Sequence, residues 1–457
     1  MARRIRFSTR RLASLLVADP ARWRYRLVLM GAASAAGLAV VLLNRLGDLA
    51  LEIFHALAQR AWWLPLIWMP ACALLVLWLT RTLAPGAVGS GIPQVLSALD
   101  AGTREDEIAR FVSLRLAFAK LVLTALGLLG GLSLGREGPS VQVAAGVMHG
   151  ARTWLPARRP GDRNALLVAG GAAGIAAAFN APLAGVMFAI EELSRTPEQR
   201  NSGLLVTAIV FSGLIGIALQ GNASYFGVIH AQELTLSLLL PALSLCLAAG
   251  VLGGLFSRLM VVAASDRHQS LVIALRRQHP YAFVLGCALA IATIGLLTDG
   301  TTFGSGYRMT RAALDGVAGT AGSLTFFKFV ATWLTTLCPI PGGIFAPSLS
   351  IGASLGNELA LLEGVAPHTP LIAIGMVAFL AAVTQAPMTA FIVVMEMVDD
   401  HHMIFSLMAA ALIAVSISRQ LSPSLYRALS RAQLRELRAT RQSAVAVSGA
   451  TLPSVRH

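Results

Sequence analysis

A chain of 457 residues that is 56% hydrophobic, only 13% charged and +0.70 in mean hydropathy lies outside the range of soluble globular domains. It reads as an all-α polytopic membrane protein. The net charge of +14 does not point to nucleic acid, because the arginines gather at the two ends of the chain, flanking the first and last apolar segments.

Residues 1–26 form a basic segment carrying Arg3, Arg4, Arg6, Arg10, Arg11, Arg22, Arg24 and Arg26. The first apolar run, 27–45, is long and lacks a small-residue cleavage site, so it reads as a span and not as a cleavable signal. Further apolar runs follow at 62–83, 111–132, 164–190, 203–220, 236–263, 281–298, 324–338, 371–398 and 403–418. Some approach the ~20 residues that cross a bilayer, whereas others are broken by Gly or Pro. Irregular backbone at that depth is tolerated only where protein or water covers it. Arginines return from Arg419 to Arg441, and the positive-inside bias then places both termini in the cytoplasm. The expected division is a basic N-terminal segment (1–26), a transmembrane domain (27–430, in halves 27–220 and 236–430) and a short basic tail (431–457). The four cysteines, Cys72, Cys246, Cys287 and Cys338, lie singly in apolar segments and predict neither a disulfide framework nor a metal site.

The two halves repeat one design. "LLVAGGAAGIAAAFNAPLAGVMFAIE" (166–191) aligns with "LIAIGMVAFLAAVTQAPMTAFIVVME" (371–396), and each copy places a glutamate, Glu191 or Glu396, nine residues after its proline. The only lysines, Lys120 and Lys328, each precede a proline by 19 residues: Pro139 of "GREGP" and Pro347 of "GGIFAP". "GSG" occurs at 89 and again at 304. Duplicated halves with Gly/Pro-interrupted apolar segments place a transport site at the repeat interface. In "GSGIP" (89–93), "GREGP" (135–139), "GGIFAP" (342–347) and, more loosely, "NAP" and "QAP", small residues lead into a proline that suits a first helical turn. Each is read as a helix N-terminus, whose free N–H groups and positive dipole end attract anions.

GSGIP, GREGP and GGIFAP, in that order and spacing, make the chain from about residue 27 to Tyr426 resemble the CLC family of chloride channels and chloride/proton antiporters. The resemblance implies a fold of two pseudo-symmetric, inverted repeats whose broken helices meet at the membrane midplane. It implies that Ser90, Ile344, Phe345 and Tyr426 hold a central anion, with Arg136, Gly138 and Ala346 beside it. Glu137 becomes the gating glutamate, whose carboxylate competes with the anion for the same amides. Glu192 takes the inner proton-transfer role, while Glu191, matched to Glu396 by the repeat, looks structural. One departure is local: Cys338 is followed only by Pro-Ile-Pro before GGIFAP, where the family often carries a longer Gly/Ser run.

The expected activity is proton-coupled chloride antiport in the inner membrane of a prokaryote, by a homodimer without cofactor, metal, nucleic acid or enzymatic chemistry. A passive gated chloride channel of the same fold is the alternative, and Glu192 separates the two, since a channel needs no inner proton acceptor. A Ser90-based intramembrane protease would need a base within reach, and the histidines lie in loops or near segment ends. "DDHH" (399–402) reads as a solvated loop in preference to a metal site. The duplicated lysines read as architectural.

Overall fold

The computed structural model describes residues 20–156, 161–194, 202–222, 224–227, 236–264, 271–316, 323–364, 366, 368–398 and 402–450. Arg3 to Arg11 and, within the DDHH stretch, Asp399, Asp400 and His401 lie outside the described residues. The first half runs α1 (Pro20–Arg60), α2 (Leu64–Leu83), α3 (Ile92–Ala98), α4 (Glu105–Ile108), α5 (Leu114–Leu129), α6 (Glu137–Gly150), α7 (Asp162–Phe179), α8 (Pro182–Phe188) and α9 (Ser202–Gln220). The second runs α10 (Leu239–Ala263), α11 (Leu271–Gln278), α12 (Pro280–Leu297), α13 (Tyr307–Leu314), α14 (Leu324–Leu337), α15 (Phe345–Leu362), α16 (Thr369–Thr384), α17 (Pro387–Val398) and α18 (Ile404–Leu421), followed by α19 (Leu425–Ala450). α1, α2, α9, α10, α12 and α18 are long and apolar enough to cross a membrane.

The breaks fall where the sequence punctuates them. The apolar runs 164–190 and 371–398 each divide in two, because Asn180 (φ 53°) and Gln385 (φ 58°) take the left-handed conformation that ends a helix. Pro182 and Pro387 then open α8 and α17. α7 and α16 are apolar on nearly every face and nearly every residue is buried, which makes them the central helices of their halves. Small residues let their neighbours come close: a Cβ on Gly174 of α7 would stand 2.6 Å from the Ser140 carbonyl oxygen of α6. In the other half, Cβ atoms on Gly352 and Gly356 of α15 would run into the α16 backbone. Close backbone approach of this kind is how helices gain packing contacts where lipid supplies no hydrophobic drive.

The duplicated lysines perform one duplicated task. Lys120 Nζ of α5 donates to the carbonyls of Ala87 (2.7 Å) and Gly89 (2.5 Å), and Lys328 Nζ of α14 donates to those of Thr302 (2.9 Å) and Gly304 (2.8 Å). Each ammonium thus ties down the GSG loop of its own half.

Contacts between the halves are reciprocal. Gly135 and Gly343, equivalent in the repeat, exchange backbone hydrogen bonds at 2.8 and 2.7 Å. Glu191 accepts from Met388 N (3.2 Å), Thr389 N (2.7 Å) and Thr389 Oγ1 (2.8 Å) at the start of α17. Glu396 accepts from Leu183 N (3.1 Å) and Ala184 N (2.7 Å) at the start of α8. Residue i meets j while the equivalent of i meets the equivalent of j, which is the signature of a twofold relation. The pseudo-twofold axis passes between Gly135 and Gly343.

α19 continues far past residue 430, so the expected boundary of the tail falls inside a helix. Between Leu425 and Ser448 there is neither glycine nor proline, and Ala, Leu, Arg and Gln dominate. Ser97 of α3 meets Ser430 Oγ (3.0 Å) and Gln433 Oε1 (3.1 Å), and Arg441 forms an ion pair with Glu107 of α4. That guanidinium, helped by the Arg104 amide, holds the Glu107 carboxyl below the usual carboxylate range. α19, which carries Tyr426 on its first turn, is therefore fastened at two points, near Ser430 and at Arg441.

Candidate anion site

Three broken segments are stitched together by backbone hydrogen bonds. Gly89 N donates to the Ile340 carbonyl (2.9 Å), Gly342 N donates to the Gly89 carbonyl (3.1 Å), and the Gly135–Gly343 exchange adds the third segment. The N-termini of α3, α6 and α15 consequently open on one region. Two glycines make the approach feasible, since a Cβ on Gly138 would collide with Ser90 Oγ and one on Gly135 with Glu137 Oε2.

Glu137, first residue of α6, is 1% exposed. Its Oε2 accepts from Ala346 N of α15 at 3.4 Å, and the amides of Glu137 and Arg136 also point to the carboxylate. The carboxylate therefore occupies the amide-lined position that helix N-termini offer to an anion. Ile344 caps α15 and Phe345 begins it, so their amides have no acceptor within the helix.

Ser90 Oγ and Tyr426 Oη are buried without a hydrogen-bond partner among the described residues. The Tyr426 hydroxyl faces Ser90 outside hydrogen-bond geometry, with Glu192 and Glu137 in electrostatic reach. Its ring stacks on Phe345 at 6.2 Å between centroids and 10° between planes. Leaving a buried hydroxyl unsatisfied costs about 1–3 kcal/mol, so two converging on one spot suit a ligand that accepts hydrogen bonds.

A cavity of about 1180 Å³ includes Ser90, Ile344 and Tyr426 in its lining. Its charged lining is Arg81, Arg110, Arg115, Arg276 and Arg277 against a single acid, Glu436. A cleft lined by one sign of charge concentrates the opposite ion, and this one is electropositive next to the two hydroxyls.

Glu192 is 4% exposed and lies near Tyr426, yet it is not among the residues lining that cavity. Both it and Glu191 sit in a π-helical turn, Ala189–Leu193, closed by the Ser194 N to Ala189 O hydrogen bond of 2.8 Å. Single π turns of this kind inside helices are frequent at functional sites. Glu191 is spent on capping α17. The sequence carries no local signal for the π turn, since "AIEEL" reads as ordinary helix.

Ser90, Glu137, Gly138, Ile344, Phe345, Ala346 and Tyr426 are thus brought together, with Glu192 beside Tyr426. Arg136 is turned elsewhere: its Nη1 donates to the Asn44 carbonyl (2.7 Å) and to Asp48 Oδ1 (2.5 Å) of α1, and Tyr225 interacts with the same guanidinium. Its guanidinium stays in electrostatic reach of the Glu137 carboxylate, to which its backbone amide also points. Asn44 and Asp48 were missed from sequence because they fall just at and beyond the end of the first apolar run; a carboxylate embedded in a long apolar helix is the signal that marks Asp48.

Amide-rich helix termini, unpartnered hydroxyls and an arginine-lined approach define a membrane protein with an anion pathway at the interface of two repeats. The family model described as voltage gated chloride channel matches residues 72–419. The chain belongs to this family. It is 33% identical over 366 residues to the H(+)/Cl(-) exchange transporter ClcA of Vibrio cholerae, covering 75% of this chain and 74% of that one. It is 32% identical over 390 residues to the ClcA of Citrobacter koseri, covering 80% and 78%. Among solved structures, a slow cyanobacterial Cl-/H+ antiporter superposes with a TM-score of 0.74 at 23% identity, covering 90% of this chain and 98% of that one. The fold is the inverted-repeat fold of the CLC family, as the motifs implied.

Proposed function

We propose that the protein exchanges chloride for protons across the membrane, with chloride and the Glu137 carboxylate as alternative occupants of one amide-lined site. The observation that carries this reading is the pair of buried, unpartnered hydroxyls, Ser90 and Tyr426, next to amides that already hold a carboxylate. Chloride enters through the arginine-lined cavity and takes hydrogen bonds from the two hydroxyls and the N-terminal amides of α15. Helix termini supply partial charge without a full countercharge, so the ion is held loosely enough to leave. Glu137, once protonated, is no longer an anion and yields its position; deprotonated, it returns. Glu192 passes protons between the inner solution and this region by a route apart from the cavity. Two relatives named H(+)/Cl(-) exchange transporters support the coupling. No cofactor and no covalent chemistry on Ser90 belong to this reading.

The family resemblance carries the homodimer and a prokaryotic inner membrane, and the arginine-rich ends carry cytoplasmic termini. The deciding experiment uses purified protein in liposomes with an imposed chloride gradient. Uphill proton movement that follows chloride is the expected result; chloride flux without it would favour the passive channel.

A further inference from the structure

The two hydroxyls of the anion site stand on helices from opposite ends of the chain, Ser90 just ahead of α3 and Tyr426 on the first turn of α19. α3 has seven residues, too few for a helix to hold its place by its own hydrogen bonds. The spacing of the hydroxyls therefore depends on what fastens α3 to α19. Tyr426, Ser430 and Gln433 follow one another at intervals of four and three residues and so share one face of α19. Pro93 and Ser97 are likewise one turn apart on α3.

Ser97 Oγ is where the two faces meet. It lies 2.8 Å from the Pro93 carbonyl oxygen, 3.0 Å from Ser430 Oγ and 3.1 Å from Gln433 Oε1, while Thr103 Oγ1 donates to the Ser97 carbonyl at 2.7 Å. Ser97 and Ser430 are buried, and Gln433 is half-buried in the wall of the cavity. Around them Leu96, Leu99, Leu434 and Leu437 belong to the apolar core. Apolar contact is non-directional and leaves one helix free to slide on another, whereas hydrogen bonds between buried groups fix a single arrangement.

We propose that Ser97, Ser430 and Gln433 are positioning residues that set the distance between the Ser90 and Tyr426 hydroxyls and, through it, the affinity for the anion. The inference rests on the reading of those two hydroxyls as chloride donors. With the junction intact, both stand at their working separation before the ion arrives. Without it, chloride must draw α3 and α19 into place itself, and the free energy of that ordering is lost from binding. The loss is bounded by what the junction contributes, and one net hydrogen bond corresponds to about three- to tenfold in affinity.

The test is chloride binding to the purified full chain by titration calorimetry, with Ser97→Ala, Ser430→Ala and Gln433→Ala each made in the wild type and in Tyr426→Phe. Tyr426→Phe keeps the ring beside Phe345 and removes one hydroxyl, so no spacing is left for the junction to set. Each junction variant should weaken chloride about three- to tenfold in the wild type and less than about twofold in Tyr426→Phe. A merely structural role would weaken both backgrounds by the same factor, and that result, or unchanged affinity in the folded variants, would overturn the proposal. If Tyr426→Phe weakens chloride and the junction variants do not, the positioning role alone fails. If Tyr426→Phe leaves chloride affinity unchanged, the reading of the hydroxyls fails and this inference with it. Should the buried serine variants not fold, Gln433→Ala, at the cavity wall, decides.

Discussion

Ser90 and Tyr426 carry the most chemistry per atom in the site, because each has one hydroxyl and that hydroxyl meets no protein acceptor among the described residues. A hydrogen bond to a charged partner contributes about 1.5–3 kcal/mol. Ser90→Ala should therefore weaken chloride binding by about tenfold or more, read by titration calorimetry; unchanged affinity in a folded variant would remove Ser90 from the site. The two adjacent acids divide differently. Glu191 is held by three donors of α17, whereas Glu192, buried, lies in electrostatic reach of Tyr426. Glu192→Gln keeps shape and loses titration, so in liposomes chloride should still move while coupled proton movement stops. If Glu191→Gln abolished coupling and Glu192→Gln left it intact, the roles would be exchanged.

At the scale of elements, the paired caps hold two broken helices against each other across the repeat axis. Glu396→Ala leaves Leu183 N and Ala184 N without their acceptors. The expected cost is about 1–3 kcal/mol, seen as a lowered Tm in detergent, with transport retained by the folded fraction; an unchanged Tm would show that the cap contributes nothing. Much of this level was legible beforehand. Ala-Pro at 181–182 and 386–387 marked the helix starts, and the common spacing to Glu191 and Glu396 marked the two acids as equivalent. What they bind was not legible, because each caps the helix of the opposite half and no local pattern encodes a partner some 200 residues away. The same holds for Arg136. Its place in GREGP suggested a charge directed at the anion, and only the packing of α1 reveals Asn44 and Asp48 as its partners. The length of α19 was not read from the sequence for a simpler reason: basic composition reads as a tail, although nothing between Leu425 and Ser448 breaks a helix.

The whole molecule is two copies of one half joined by reciprocal contacts, yet the site uses them unequally. The first half supplies the hydroxyl of Ser90 and the carboxylate of Glu137; the second supplies the amides of α15, against which that carboxylate rests at Ala346. Lys120 and Lys328 fix the two GSG loops alike, whereas the π turn that carries Glu192 occurs in the first half and Glu396 stands near the end of a regular helix. The arginine-lined cavity reaches this asymmetric site, and Glu192 approaches it apart from the cavity lining. In the proposed mechanism coupling depends on one carboxylate, Glu137, that both routes meet. The direct measurement is chloride and proton flux recorded together through Glu137→Gln in liposomes, across a range of pH, beside wild type. Chloride flux that persists, loses its pH dependence and moves no protons is the result this mechanism predicts. Retention of wild-type pH dependence together with proton coupling in Glu137→Gln would contradict it.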